Sequence, residues 1–409
     1  MKGLIPLLIL LIVEFYSFQA IKTITKNKWI LLIYLVISIV LMLFIVYSFM
    51  NFDRGKGQNK SSLLVIGLTL LIYVPKILVF LILFIEDLSR LVEASIMSFV
   101  DENREQFFSP RRRFVSQIAL GIATIPFASL LYGMTIGKYN FKVLRQQIFF
   151  DDLPEEFDGM TITQISDIHS GSFDENTDKI KYAVDLINQQ NSDLLLFTGD
   201  IVNTHAKEMD PWIDTFKGLY QPKLGKFSIL GNHDYGKYFD WDSEKEENQN
   251  FEDVKSIHKK LDFTLLMNEN VKLKKGSSEI VLVGVENWGV HFGKKGDLKK
   301  ATSGVNPEDF KILMSHDPSH WENEIKNHET HYHLTLSGHT HGLQFGIEIP
   351  GWFKWSPVQY VYKQWAGLYE NAGRYIYVNR GFGFHAYPGR VGIMPEITII
   401  ELKKTKKEA

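Results

Sequence analysis

The sequence predicts an N-terminal all-α transmembrane segment of about four helices, followed by an α/β domain. Two observations lead to this prediction. Leu, Ile, Val and Phe dominate residues 1 to about 134, whereas all 13 histidines, beginning with His169, lie beyond that point. The later part also alternates short apolar runs with helical patterns, which is typical of α/β folds. A chain of 409 residues is long enough for at least two such units.

Four apolar stretches in the first part approach the ~20 residues that a helix needs to cross a bilayer. They are residues 4–20, 29–50, 63–85 and 114–134. The first stretch resembles a signal peptide, but no small-residue cleavage site follows it, so we expect it to be retained. We therefore expect a transmembrane helical region at 1–135, a linker at 136–153 and the α/β domain at 154–409.

Lys76 is an ionisable residue inside the third apolar stretch, directly after Pro75. An ionisable side chain at membrane depth is costly, so such residues are usually paired and often functional. Glu14, in the first stretch, is the candidate partner. The alternative is a lysine whose ammonium group extends to the interface near a proline kink. The sequence leaves both interpretations open.

Three arginines at 111–113, just before the fourth stretch, bear on orientation. Basic residues near the ends of spans favour the cytoplasmic side, and residues 109–115 also resemble a twin-arginine export signal. Both features predict that the α/β domain lies on the outer, periplasm-like face of the membrane. We expect this membrane to be the inner membrane of a bacterium. The rule is obeyed imperfectly, because Arg54, Lys56 and Lys60 then lie on the outer side as well.

Composition excludes several classes of function. The formal net charge is -2, so the chain lacks the overall positive field that binds nucleic acid, and we expect no nucleic-acid partner. There are no cysteines. Disulfides, thiolate metal ligands and cysteine nucleophiles are therefore excluded together.

Short apolar runs in the second part predict buried strands, and polar side chains suited to chemistry follow directly after them. The predicted strands are residues 160–166, 194–198, 227–230, 280–285, 311–315, 332–337, 375–378 and 397–402. Sites in α/β sheets usually lie at the carboxyl ends of strands. We therefore expect the loops after five of these strands to converge.

Five sequence motifs occupy these loops, in a fixed order. They are Asp167-Ile168-His169, Gly199-Asp200, Gly231-Asn232-His233-Asp234, His316 and Gly338-His339-Thr340-His341. Each motif alone is weak, since an Asp-x-His triplet is often a turn and a His-x-His pair is often a solvated strand edge. All five motifs in this order are far harder to explain by chance than any one of them. The ordered set resembles the calcineurin-like metallophosphoesterase family.

Residues beyond the five motifs extend the resemblance to the exported and membrane-bound bacterial branch of that family. These are Arg380-Gly381-Phe382-Gly383, Arg390 and Pro395-Glu396-Ile397. The resemblance covers about residues 155–402. It implies a fold of mixed sheets sandwiched by helices and an enzyme that hydrolyses phosphoric esters.

The resemblance also implies two divalent metal ions. One would be held by Asp167, His169, Asp200 and His341, and the other by Asp200, Asn232, His316 and His339. A carboxylate such as Asp200 can bridge two ions about 3.5–4 Å apart, an arrangement suited to in-line displacement at phosphorus. Oxygen and imidazole ligands without thiolate favour Mn, Fe or Zn.

Other residues receive roles from the same resemblance. His233 would act on the transition state or the leaving oxygen, with a buried structural histidine as the alternative. Many family members carry a carboxylate where this chain has Asn203, so we expect the Asn203 amide to orient His233 and Asp234 to supply charge. For Asp234 the alternative is a loop cap. Arg380 and Arg390 are candidates to bind substrate phosphate, and structural ion pairs are the alternative.

Two further features bear on the substrate. After the last histidine motif, the stretch from Phe345 to Tyr369 holds seven further aromatic side chains, the first of them Trp352. They predict a site for a lipid or nucleoside group, a contact with the bilayer interface, or a packed hairpin. Of the remaining histidines, His205 and His385 are the best candidates to lie near the site.

The function predicted from all these features is a membrane-anchored, dinuclear phosphoesterase. It would hydrolyse phosphodiester, phosphomonoester or pyrophosphate bonds of a small-molecule or lipid-linked substrate. The alternative is a membrane sensor or scaffold that uses the domain only to bind a ligand. Loss of several metal ligands would have favoured that alternative, but all are present. A transporter is disfavoured because four spans without repeats do not resemble one.

Overall fold

The computed structural model describes residues 4–98, 109–349 and 351–405. The chain divides into two compact units. The helical unit contains residues up to Phe52 and Leu64–Gly133. The α/β unit contains Asp53–Leu63 together with the chain from Met134 onward. The short connection between the second and third helices thus groups with the α/β unit.

Within its described residues, the helical unit has four helices that are long and apolar enough to cross a membrane, which confirms the predicted number. The helices are α1 (Leu4–Ile24), α2 (Lys28–Met50), α3 (Lys60–Ser98) and α4 (Ser109–Thr135). Asn27 caps α2, because its side chain accepts the backbone N–H of Trp29. Most of the large apolar side chains on these helices are exposed, as expected of surfaces that face lipid.

A polar cluster lies inside the helical unit. Lys76 Nζ is 2.7 Å from one oxygen of Glu14 and 2.8 Å from the other. Ser38 contacts both groups. The two charged side chains are 14% and 15% exposed. Of the two interpretations of Lys76, the structure therefore supports the ion pair.

Two six-stranded mixed sheets form the centre of the α/β unit. The first sheet has the order β1-β16-β2-β3-β4-β5, and the second has the order β14-β15-β11-β10-β7-β6. The strands of the first sheet are β1 (Lys142–Phe150), β2 (Thr161–Ile165), β3 (Leu194–Phe197), β4 (Lys226–Ser228), β5 (Thr264–Leu265) and β16 (Glu396–Lys404). The strands of the second are β6 (Glu269–Lys275), β7 (Ser278–Gly284), β10 (Lys311–Met314), β11 (Leu334–Ser337), β14 (Gly367–Asn371) and β15 (Arg374–Val378).

Shorter elements complete the unit. Two small hairpins pair β8 (Trp288–Gly289) with β9 (Gly293–Lys294), and β12 (Ile347–Ile349) with β13 (Phe353–Trp355). The helices are α5 (Thr177–Gln190), α6 (Ile213–Lys217), α7 (Glu244–Lys260), α8 (Leu298–Ala301) and α9 (Ser319–Asn323). Several 3₁₀ turns connect these elements.

Three apolar clusters explain the layered arrangement. One cluster lies between the sheets and includes Ile162 and Leu196 from the first sheet and Ile312 and Leu336 from the second. A second cluster packs α5 and α7 against the outer face of the first sheet. A third packs α8 and α9 against the outer face of the second sheet. The predicted fold, mixed sheets sandwiched by helices, is therefore confirmed.

The linker expected at 136–153 contains a strand instead. β1 pairs in parallel with β16 along its whole length, from Lys142 opposite Glu396 to Phe150 opposite Lys404. Its inward side chains Ile148 and Phe150 are buried, whereas the others are at least partly exposed. The edge position of β1 explains why the sequence did not predict this strand. Only one short end of it is buried, so it lacks the continuous apolar run that marked the central strands.

All eight predicted strands are present, with ends shifted by a few residues. β2, β3 and β4 are mutually parallel in the first sheet. β10 and β11 are parallel in the second. Parallel neighbours end at the same edge of a sheet, so the loops that follow these five strands meet there.

Candidate metal centre

Asp167, His169 and His341 form one group of buried side chains with potential ligand atoms within 4.8 Å of one another. Asp167 Oδ1 lies 3.2 Å from His341 Nε2. His169 Nε2 lies 3.6 Å from Asp200 Oδ2, so Asp200 borders this group. These are the four residues predicted to hold the first metal ion.

Asp200, His316 and His339 form a second group within the same distance of 4.8 Å. Asp200 Oδ2 is 3.1 Å from His316 Nε2, and Asn232 Oδ1 is 2.8 Å from His339 Nδ1. The amide nitrogen of Asn232 donates to Tyr238 Oη, so its carbonyl oxygen is the atom that faces the group. Asp200 lies between the two groups, where a bridging carboxylate would have to be.

The donor atoms of His316 test whether the residues fit a metal ion. Its Nδ1–H donates to the backbone carbonyl of Thr198 at 2.7 Å, so Nε2 is the ring nitrogen nearest Asp200 and carries a lone pair when the ring is neutral. That buried Nε2 makes no hydrogen bond, although Asp200 Oδ2 is 3.1 Å away. A lone pair and a carboxylate oxygen repel each other unless a proton or cation lies between them. The residues therefore fit a metal ion.

The electrostatics of the site point the same way. Burial alone would lower the pKa of His316, but the carboxylates of Asp200 and Asp167 raise it to about 10. Burial would raise the pKa of Asp200, but His316 and His233 hold it well below its usual range. The pocket thus strongly favours positive charge between these side chains, carried by a proton or by a metal ion.

Five of the predicted ligands adopt a left-handed backbone conformation that non-glycine residues rarely use. The φ angles are 53° at Asp167, 48° at His169, 62° at Asp200, 70° at His339 and 50° at His341. Such strain concentrates at functional sites. Close approach also requires glycine at 231 and 338, because a Cβ there would overlap the carboxylates of Asp200 and Asp167 respectively.

The ring of His233 is oriented by a backbone carbonyl group. Its Nδ1 lies 2.8 Å from the backbone oxygen of Asn203, which can only accept, so Nδ1 carries the proton and Nε2 is left free. Burial lowers the pKa of His233, although Asp200 opposes this effect. We expected the Asn203 amide to orient His233. In the structure the backbone carbonyl of Asn203 makes that contact, because the side-chain amide of Asn203 contacts His169 instead.

Asp234 caps a loop, which was the alternative to supplying charge to His233. Its carboxylate accepts the backbone N–H groups of Asp200 and Ile201 at 2.8 Å and of Gly231 at 2.9 Å. Its side chain is fully buried. Burial, followed by repulsion from Asp200, raises the pKa of Asp234 to about 7. The N–H of Val202, at 3.4 Å, is a fourth backbone donor, and a carboxylate committed to four backbone donors is not placed to act on a substrate.

Neither arginine is free to bind phosphate. Arg380 contacts Glu396 at 2.6 Å and Glu348 at 2.5 Å, and its side chain is 6% exposed. Arg390 is fully buried and donates to the backbone carbonyl of Gly381 at 3.1 Å. Its Nη2 also lies 3.2 Å from His341 Nδ1. The sequence could not show this, because the acidic partner Glu348 lies in a hairpin far from Arg380 along the chain.

His385 joins the site, whereas His205 does not. The ring of His385 stacks on His169 at 4.8 Å and meets His233 at 4.4 Å between centroids. Its Nδ1 is 3.3 Å from Asn203 Oδ1. His205 instead packs against Phe239 and Trp241, away from these groups.

Three other residues at the site were not predicted individually. Tyr238 contacts Asn232, as described above. Tyr362 Oη lies 2.9 Å from His339 Nε2 and 3.4 Å from Asp317 Oδ2. Asp317 is fully buried. The position of Asp317 directly after His316 was a signal in the sequence, but the two tyrosines lie in loops without periodicity.

The aromatic segment between residues 345 and 369 divides into a buried and an exposed part. Trp365 is 3% exposed and packs with Val358. In contrast, Trp352 is 81% exposed and Tyr360 is 78% exposed. The packed-hairpin interpretation therefore holds for only part of the segment. Tyr360 and Val361, directly before Tyr362, form an exposed strip.

The stacked mixed sheets and the ligand groups at their carboxyl edges define a metal-dependent phosphoric ester hydrolase. Comparison with known families agrees. A profile described as "Calcineurin-like phosphoesterase" matches residues 160–343. Another, described as "Probable Calcineurin-like phosphoesterase, transmembrane domain", matches residues 1–138. The chain belongs to the calcineurin-like phosphoesterase family and carries its four-helix membrane region.

Several curated proteins are similar to this chain. An uncharacterized metallophosphoesterase of Bacillus subtilis, YkuE, is 32% identical over 62% of this chain and 82% of that protein. A transmembrane protein with metallophosphoesterase domain from Danio rerio is 26% identical over 67% of this chain and 60% of that protein. The UDP-2,3-diacylglucosamine pyrophosphatase LpxG of Chlamydia trachomatis is 27% identical over 65% of this chain and 92% of that protein.

Proposed function

We propose that this protein is a dinuclear metal-dependent phosphoesterase that hydrolyses phosphodiester, phosphomonoester or pyrophosphate bonds. The observation that carries the proposal is the position of Asp200 between two ligand groups, 3.6 Å from His169 and 3.1 Å from His316. Asp167, His169, Asp200 and His341 would hold one ion, and Asp200, Asn232, His316 and His339 the other. Two such ions, of Mn, Fe or Zn, would supply an activated water and neutralise charge on the phosphoryl oxygens.

The protein's own residues would orient the reactants. Asp200 fixes His233 by accepting its backbone N–H at 2.8 Å, and Asn203 fixes the ring by accepting from Nδ1. Nε2 of His233 is then left to bind a proton, and the protonated ring would donate that proton to the leaving oxygen. Arg390 keeps the His341 ring in place from its other side.

Purified protein stripped of metal and resupplied with Mn should hydrolyse bis-p-nitrophenyl phosphate or p-nitrophenyl phosphate, and Asp200→Asn should abolish turnover. The asparagine keeps the size of the side chain but loses the charge that holds both ions. The ratio of the two rates would show whether diesters or monoesters are preferred. Metal binding without turnover on any of these esters would instead favour the sensor or scaffold.

We further propose that the substrate is amphiphilic or lipid-linked. Tyr360 and Val361 are 78% and 71% exposed, and they directly precede Tyr362, which contacts His339. Apolar side chains left open beside a metal ligand suit an acyl or prenyl group. The similarity to a protein named as a diacylglucosamine pyrophosphatase supports the same substrate class.

Substitution of the exposed strip tests this second proposal. Tyr360→Ser with Val361→Ser should leave kcat/KM for bis-p-nitrophenyl phosphate unchanged. The same variant should lose several-fold in kcat/KM on a phosphate ester presented in mixed micelles, because only that substrate would bury its chains on the strip. Equal activity on both substrates would contradict the proposal.

We propose that the protein resides in the bacterial inner membrane, with the α/β unit on the periplasmic face. The arginines at 111–113 support this orientation, since they precede α4 and favour the cytoplasmic side. Alkaline phosphatase and green fluorescent protein fused after Met134 should show phosphatase activity and no fluorescence. The opposite result would place the α/β unit in the cytoplasm.

A further inference from the structure

The connection between α2 and α3 belongs to the α/β unit and contacts the surroundings of the metal centre. We call residues Asp53–Leu63 the connecting segment; they group with the α/β unit in the division of the chain. We propose that Gln58 in this segment is a positioning residue, which holds a metal-ligating histidine in its working tautomer through Ser172 and Asn203. The proposal rests on the proposed function, since it concerns the same ligand groups.

A continuous chain of hydrogen bonds leads from Gln58 to His169. Gln58 Nε2 donates to Ser172 Oγ at 2.9 Å. Asn203 Nδ2 donates to the same oxygen at 3.0 Å. Asn203 Oδ1 then lies 3.0 Å from His169 Nδ1. The chain runs through Ser172 and Asn203, which are 3% and 1% exposed, so water has little access to replace these contacts.

The direction of these bonds determines the state of His169. Because Ser172 Oγ accepts from the amide nitrogen of Asn203, the carbonyl end of that amide faces His169. A carbonyl oxygen accepts only, so Nδ1 of His169 must carry the proton and Nε2 must present a lone pair to the metal. Outer contacts of this kind set the tautomer and orientation of metal-ligating histidines. Gln58 supplies the second donor to Ser172 Oγ, whose own O–H donates to Asn203 Oδ1 at 3.3 Å, so the hydroxyl accepts from both amides and its proton is directed to the same carbonyl oxygen that faces His169.

The other end of the Gln58 amide contacts the loop that carries His385. Gln58 Oε1 accepts the backbone N–H of Ala386 at 2.6 Å. Ala386 has a left-handed φ of 59°, so its backbone needs such an external contact. His385, the preceding residue, stacks on His169 at 4.8 Å. One glutamine side chain therefore contacts both the Ser172–Asn203 chain that reaches His169 Nδ1 and the loop whose His385 stacks on the His169 ring.

Two glycines allow the connecting segment to come this close. The Gly55 carbonyl accepts the backbone N–H of Asp240 at 2.7 Å, and a Cβ at position 55 would overlap the Asp240 carboxylate. Gly57 has φ of 63°, and a Cβ there would lie 3.4 Å from the carbonyl oxygen of Tyr238. Tyr238 is the residue that orients Asn232. The segment thus contacts the supports of ligands in both groups.

The principal test compares Gln58→Met with Lys60→Met in the full-length protein. Methionine matches the length of either side chain but makes no hydrogen bonds of this kind. Lys60 pairs with Glu175, and both side chains are exposed, at 62% and 92%, so its loss should have little effect. Gln58→Met should weaken Mn²⁺ binding about 10-fold, measured by equilibrium dialysis without any substrate, with KM for bis-p-nitrophenyl phosphate unchanged.

A purely structural role would instead lower the melting temperature and leave the Mn²⁺ affinity of the folded protein intact. Equal Mn²⁺ affinity in Gln58→Met and Lys60→Met would therefore overturn the proposal. Because equilibrium dialysis needs no turnover, this result is separate from failure of the proposed function, in which the wild-type protein would bind Mn²⁺ without hydrolysing any ester.

Crosslinking tests the position of the segment independently. A Cβ at residue 55 would lie 3.1 Å from Cβ of Asp240, slightly below the ~3.5–4.5 Å span of a disulfide, and Asp240→Cys removes the carboxylate that a Cβ at position 55 would overlap. The chain has no cysteines, so the pair Gly55→Cys and Asp240→Cys has no competing thiols. We expect a disulfide on mild oxidation, with Mn²⁺ affinity retained. Gly55→Cys combined with Tyr182→Cys, on the exposed face of α5, should give none. Absence of the first crosslink would contradict the contact on which the proposal depends.

Discussion

Asp200 accepts the backbone N–H of His233 through Oδ1 at 2.8 Å, while its Oδ2 lies 3.1 Å from His316 Nε2. The carboxylate that stands between the two ligand groups therefore also fixes the loop of the histidine proposed to act on the substrate. Changes at this carboxylate should disturb metal binding and His233 together, whereas changes at His233 should leave the metals in place.

His233→Gln should lower kcat by about 10²–10⁴-fold, because a positioned proton donor contributes a factor of that size. Its metal content, measured by mass spectrometry, should equal that of the wild-type protein. Asp234→Asn provides the contrast. It disturbs the four backbone hydrogen bonds that the Asp234 carboxylate accepts, so it should lower stability by about 1–3 kcal/mol and leave the pH profile of kcat unchanged. A metal-depleted His233→Gln protein would show that His233 is instead a structural support of the ligands.

Arg380 should prove structural when its ion pair is removed in two steps. Arg380→Met leaves the fully buried Glu396 without its partner and should destabilise the protein by about 3–5 kcal/mol. Adding Glu396→Gln removes the unpaired charge and should restore part of that loss. Thermal unfolding in detergent measures both effects. An increase of KM in the folded Arg380→Met protein, without loss of stability, would instead show that Arg380 binds the substrate.

His258 should make the protein sensitive to acid. It is fully buried against Phe197, and burial lowers its pKa from 6.5 to about 3. Below pH 6.5 the unfolded chain therefore binds a proton that the folded protein does not. Its contribution to stability is present above pH 6.5 and is lost as the pH falls towards 3, by about 1.4 kcal/mol per pH unit.

His258→Gln should reduce the slope of stability against pH by about that amount between pH 6 and pH 4. Urea unfolding at several pH values measures the slope. His291→Gln, which changes an exposed side chain, serves as the matched control and should keep the wild-type slope. Parallel curves for wild type and His258→Gln would contradict the prediction.

The ion pair within the helical unit should show a double-mutant rescue. Lys76→Met leaves Glu14 without its cation in a largely buried position, which should destabilise the helices by about 3–5 kcal/mol. Lys76→Met combined with Glu14→Gln should recover most of that loss, since no unpaired charge remains. Protein yield in the membrane and the melting temperature in detergent report the effect. If the double variant retained stability but lost ester hydrolysis, the pair would have a functional role instead.

Much of the fold could be predicted because its signals are local. Four apolar stretches are long enough to span a bilayer whatever surrounds them, and the central strands are buried on both faces, so they are nearly continuous apolar runs. The proposed ligands follow those strands directly, and their order along the chain is itself the pattern. β1 was missed since only one end of this edge strand is buried.

The sequence by itself determined the two-part architecture, the family and the set of candidate ligands. Only the tertiary structure decided what lies around them: Arg380 pairs with Glu348 and Glu396, Asp234 holds backbone N–H groups, and Gln58 reaches Ser172 from a segment 114 positions away. The physical reason is the range of the interactions. Periodicity and strand ends are properties of neighbouring residues, whereas the partner of a buried charge or amide is set by which distant segments fold against it.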